Sequence, residues 1–138
     1  MKDKLEELAT ILKGMNFYAH QAHNLIQADT FMQDHSFLGD LYEKYDDDYD
    51  DVVERSIGLG EAVDIAKVNK DAAEIMDSET KMEPNEAIGM LLVYEQTLCD
   101  SVKEMMSGAS PGTQQLIGEI ANQSEIRQYK MRQRLSKG

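Results

Sequence analysis

Residues 16–60 read NFYAHQAHNLIQADTFMQDHSFLGDLYEKYDDDYDDVVERSIGLG, and this stretch decides the fold. Its apolar and aromatic positions recur at helical spacing, and a polar break at Asp29 and Thr30 cuts it into two amphipathic halves. Upstream, Leu5, Leu8, Leu12, Met15, Ala19, His23 and Ile26 continue the first half as one stripe, predicting a helix over residues 3–28. Thr30 with Gln33 has the form of a capping box. It opens a second helix that turns Leu38, Leu41, Tyr42, Tyr45, Tyr49, Val52, Val53 and Ile57 to one side and stops at Gly58 and Gly60.

The remaining chain follows the same period. Pro84 suits the first position of a third helix, which carries Ala87, Leu91, Tyr94, Leu98, Val102 and Met105 inward and ends at Gly108. Ser110 and Pro111 open a fourth, with Ile117, Ile120, Ala121, Met131 and Leu135. Between residues 61 and 83 the pattern weakens, leaving room for a short helix over residues 70–77. Four long helices with one long connection predict an all-α, ferritin-like four-helix bundle, with a short extra helix between helices 2 and 3. Residues 1–138 read as a single domain.

Composition narrows the function classes. A lone cysteine, Cys99, leaves no intramolecular disulfide framework, fits a reducing compartment and reads as a small core residue. The first twelve residues are charged and amphipathic, unlike a signal peptide, and no run approaches the ~20 apolar residues of a membrane span. A cytoplasmic location is expected. The best apolar run, residues 88–98, is interrupted by Glu95, which reads as an exposed break. Met32, Met76, Met90, Met105 and Met106 read as packing. A formal charge of -12 disfavours duplex DNA, whose binding needs clustered Lys and Arg, and makes cations the natural partner. Arg127, Lys130, Arg132, Arg134 and Lys137 read as cations complementing the end of the last helix.

Against this frame four residues stand out: His23, His35, Asp50 and Glu54. The two histidines lie six residues on either side of Asp29, so an antiparallel hairpin sets them at one height, where imidazoles suit a metal. Asp50 and Glu54 share a face of the second helix. Fifteen helical residues nevertheless separate His35 from Asp50 by roughly 22 Å, so one subunit cannot close the set on one ion. A two-fold axis running the second helix against its copy would join the histidines of one subunit to the carboxylates of the other, giving two sites per dimer. The plainer alternative stays open at this point: hydrogen-bonded core histidines and a solvated carboxylate pair.

These positions resemble those of the Dps family, the miniature ferritins. The motif Gln21, Ala22, His23 is similar to the family's first-helix ligand motif, and Phe31 stands four residues before the second histidine as it does there. Glu54 and Arg55 followed by Leu59 and Gly60, Gly112 and Thr113 opening the last helix, and Glu125 with Tyr129 within it extend the likeness. The resemblance implies a dodecamer built from two-fold dimers, which oxidises Fe(II) with hydrogen peroxide or dioxygen and stores the Fe(III) mineral. His23, His35, Asp50 and Glu54 would form its ferroxidase centre, with Glu54 bridging or chelating iron and Asp50 a further carboxylate ligand. Imidazole mixed with carboxylate is chemistry that suits Fe(II).

Two positions depart from the family. Gly39 stands where an aspartate follows the second histidine by four residues, and Asp40 is turned about 100° away from that direction. Asn24 replaces a tryptophan, and the chain has none. The run Asp46, Asp47, Asp48, Asp50 and Asp51 reads either as a solvated face or as a cavity wall that gathers iron, with Asp47, Asp51 and Asp40 as accessory positions. A family-type lysine-rich extension is missing at the start of this chain, so direct DNA binding is not expected. The competing reading is a non-enzymatic, structural or DNA-associated assembly of the same ferritin-like fold with a degraded metal site.

Overall fold

In the computed structural model, which describes residues 1–76 and 78–136, α1 (Lys2–Leu25) runs antiparallel to α2 (Phe31–Gly58). The stripe of leucines explains the pairing: Leu5, Leu8, Leu12, Met15 and Ala19 of α1 are buried against Leu38, Leu41, Tyr45 and Val52 of α2. Each large side chain so buried contributes roughly 1.5–3 kcal/mol. A short α3 (Ile65–Ala73) lies in the connection and packs on α1. Then α4 (Pro84–Met105), extended by a 3-10 turn to Gly108, and α5 (Pro111–Leu135) close the bundle. This is the four-helix architecture with a short extra helix between the second and third long helices.

Several local expectations need correction. The first helix ends at Leu25 rather than at residue 28, because Ile26 turns extended and the returning connection pairs with it. Met82 donates its N–H to the Leu25 carbonyl at 2.9 Å and accepts from Gln27 N–H at 3.2 Å. The capping box is not formed: no side chain caps the start of α2, and Thr30 Oγ1 donates instead to Asp34 Oδ2 at 2.6 Å. The short helix begins at Ile65, where Asp64 caps it by accepting the Lys67 N–H, and ends at Ala73; Asp77 lies outside the described residues. Gly60, at φ +75, reverses the chain after α2 as glycine permits.

Several side-chain expectations also fail. Glu95 is fully buried, not an exposed break. Arg127 is buried beside it rather than serving as a tail cation, and Lys137 lies outside the described residues. Met105 is buried as expected, but Met32, Met76 and Met90 are exposed, as is Ile57. Cys99 is only partly buried, near Ser124 Oγ at 3.3 Å. No described helix is long and apolar enough to cross a membrane.

Glu95 organises the centre of the bundle. Its carboxylate accepts Arg127 Nε at 2.5 Å and Nη2 at 3.0 Å, and the Tyr45 hydroxyl at 2.6 Å. The Arg127 guanidinium also lies 5.2 Å from the centre of the Tyr45 ring. Three helices are therefore joined through one carboxylate: α2 by Tyr45, α4 by Glu95 and α5 by Arg127. Burial, and then the adjacent carboxylate, push the Tyr45 hydroxyl well above its ordinary value, so it stays a proton donor in this bond.

Candidate metal centre

His23 sits in the last turn of α1 and His35 near the start of α2, and the short reversal between them stacks their rings face to face. The ring centroids are 3.7 Å apart and the planes differ by 18°. Each ring also binds the other residue's backbone: His23 Nδ1 donates to the His35 carbonyl at 2.6 Å, and His35 Nδ1 donates to the His23 carbonyl at 2.7 Å. A carbonyl oxygen only accepts, so both Nδ1 atoms carry the proton. In the neutral rings both Nε2 atoms then keep a free lone pair. That tautomer makes Nε2 the nitrogen open to a metal, and it is fixed here by main chain rather than by a carboxylate.

Aromatic and ionic neighbours hold this arrangement. Phe31 stacks on His35 at 4.7 Å, Tyr42 meets the His23 ring edge at 5.3 Å, and the exposed His20 stacks on Tyr42 at 4.0 Å. Beneath them, Asp34 accepts a two-pronged bond from Arg134 of α5, with Nε at 3.0 Å and Nη2 at 2.7 Å. Arg134 also donates to Asn85 at 2.8 Å, tying the start of α2 to the start of α4. Burial pushes the Asp34 carboxyl up, but the bonds from Arg134 and Thr30 outweigh it, and the carboxyl lies below its ordinary value. The residue next to His35 is thereby anchored.

Gly39 fits tightly into the same place. A Cβ built on it would stand 3.1 Å from Cε1 and 3.3 Å from Nδ1 of His23. Glycine within a helix costs up to about 1 kcal/mol relative to alanine, so its presence against the ring is a local sacrifice of helix stability for space.

The carboxylates lie elsewhere. Asp50 and Glu54 are exposed on the far half of α2, well separated from the histidines of the same chain. Among the described residues no three His, Cys, Asp or Glu side chains are grouped to hold a metal ion. Glu54 and Asp51 line a shallow depression with Arg55, Gly58, Leu59 and Leu116. Asp40 and Asp47 are exposed. The aspartate run is not uniform: Asp46 pairs with Lys13 at 3.1 Å, whereas Asp48 is buried, bound on one oxygen by Lys44 at 3.2 Å and unpartnered on the other. Burial raises the Asp48 carboxyl above its ordinary value despite Lys44.

Sequence reasoning overlooked Tyr42 as a neighbour of the histidines, Asp34 with Arg134 as their anchor, and the Glu95 network. Only the last left a signal, a glutamate amid apolar residues on one helix and an arginine on another. The exposed apolar side chains Met32, Ile57, Leu59 and Tyr129 mark surface that this chain alone does not cover.

No family model matches the chain, and no curated protein matches its sequence. Its fold is shared with solved structures. Dps92 from Deinococcus radiodurans superposes at a TM-score of 0.86 and 22% identity, covering 99% of this chain and 86% of that one. Dps from Listeria innocua gives 0.88 at 16% identity, over 97% and 93% of the two chains. Antigen TpF1 from Treponema pallidum gives 0.85 at 16% identity, over 97% and 92%.

Proposed function

We propose that this chain, which has the fold of the Dps proteins, is the subunit of a cage that oxidises Fe(II) and stores the Fe(III) product. The observation that carries the reading is the reciprocal bonding of His23 and His35, which presents two free Nε2 atoms from a prearranged pair. Two imidazoles are too few donors for an iron site, and among the described residues the same chain groups no third with them. A second copy, related by a two-fold axis, would bring its Asp50 and Glu54 to them. Exposed Ile57 and Leu59, close in sequence to those carboxylates, supply apolar surface for such a contact.

Iron is the substrate in this scheme. His23 and His35 orient it, and the carboxylates of Asp50 and Glu54 offset its charge and suit the harder Fe(III) product. Two Fe(II) ions give one electron each to hydrogen peroxide, which takes up two protons and leaves as two waters. Dioxygen is the alternative oxidant. Six two-fold dimers would form the dodecamer, with exposed Asp47 and Asp51 as accessory sites for iron; Asp40 belongs to the same accessory group. At a formal charge of -12 per chain, the assembly is not suited to hold duplex DNA.

The test is iron oxidation by the assembled protein. A species of about twelve times 15.6 kDa is expected in solution, and Fe(II) oxidation with peroxide faster than in buffer. His23→Ala with His35→Ala should reduce that rate to the buffer level. A chain that stays monomeric or dimeric, or a native rate no greater than that of buffer, refutes the cage or the ferroxidase respectively.

A further inference from the structure

We infer that Gly39 restricts the histidine half-site to a single divalent ion and preserves its ligating tautomer by leaving the His23 ring room. This rests on the histidine pair being the metal half-site proposed above. Gly39 follows His35 by one helical turn and so lies on the same face of α2. The atom nearest its missing side chain is Cε1 of His23 at 3.1 Å, and the next is Nδ1 at 3.3 Å. Nδ1 is the atom that donates to the His35 carbonyl at 2.6 Å. A methyl group at position 39 therefore presses on the bond that keeps the proton off Nε2.

The same crowding bears on how many ions the half-site can take. Position 39 is where α2 would supply a further ligand beside His35, and here it offers none. Asp40 is exposed and lies about 100° around the helix from that direction. The half-site thus consists of two imidazoles, and the carboxylates of the neighbouring copy complete one coordination sphere. A second ion would have no donor of its own. The ions that fit are borderline divalent cations such as Fe(II), Co(II) and Zn(II), which accept mixed nitrogen and oxygen ligands.

Co(II), titrated under nitrogen into the assembled protein and followed by its visible absorption, tests this without iron oxidation. The native protein should saturate at one Co(II) per chain. Gly39→Ala, with helix content and assembly unchanged, should bind it at least about tenfold more weakly, the scale of lost support to a ligating histidine. Gly39→Asp should weaken binding rather than add a second equivalent. Two equivalents in the native protein, both lost with His23→Ala and His35→Ala, overturn the inference, as does Gly39→Ala binding as tightly as native. If either glycine variant fails to assemble, the native stoichiometry still decides. Native binding that is unaltered by the histidine substitutions refutes the half-site itself, a different result from binding that depends on the histidines but not on Gly39.

Discussion

Replacing Arg127 by methionine should be among the most damaging single changes in the bundle. It leaves the Glu95 carboxylate, which has no solvent exposure, with the Tyr45 hydroxyl as the remaining donor to its oxygens among the described residues. Two charged hydrogen bonds are lost, at roughly 1.5–3 kcal/mol each. That agrees with the ~3–5 kcal/mol expected when one partner of a buried ion pair is removed. For a chain of this size the melting temperature should fall by about 10–20 °C. Urea unfolding of Arg127→Met, Glu95→Leu and the double variant, at one fixed protein concentration, measures the coupling directly. The double variant should return to within about 1.5 kcal/mol of native, because apolar groups can replace a buried pair at little cost. A loss below about 1 kcal/mol for Arg127→Met, or strictly additive single losses, would show that Glu95 is not held in a desolvated pair.

Other consequences follow from the same geometry. Asp34→Ala should cost ~1–2 kcal/mol at pH 7, discounted because Arg134 is partly exposed. Because the folded carboxyl lies below its ordinary value, that contribution is present above about pH 4 and disappears as pH falls through the folded value; comparing the two proteins in urea at pH 7 and pH 3 should show the gap closing. Ser110→Ala removes the oxygen that accepts the Thr113 N–H at the start of α5 and should lower stability by about 1 kcal/mol in the same assay. Tyr42→Phe keeps the ring against His23 and should bind Co(II) like native, whereas Tyr42→Ala should bind it more weakly by titration.

The hairpin of α1 and α2 was legible because its information is local. The leucine stripe fixes which face turns inward, and equal spacing from the turn puts His23 opposite His35, where the structure stacks them. What could not be read depends on the distance between helices. The bonds from each Nδ1 across to the opposite main chain, and the crowding at Gly39, exist only because the two backbones approach closely there. Glu95 illustrates a second limit. A charge in an apolar helix reads as an exposed break until its counterion is known, and Arg127 comes from a different helix, 32 residues on. The early end of α1 has a third cause: Met82, distant in sequence, takes over the bonds of the last turn. Whether Asp50 and Glu54 meet the histidines depends on a second chain, which no single-chain pattern encodes.

A site divided in the way proposed would turn metal affinity into a property of association. If iron binds only where two chains meet, mass action makes its apparent affinity rise with protein concentration, and linkage requires the reverse in equal measure: iron must tighten the dimer by the factor by which dimerisation tightens iron. The histidine rings, each already held by the other residue's carbonyl, would need little reordering when this happens. A newly made chain would then weigh local iron each time it meets a copy of itself, and cages would persist where there is iron to put in them.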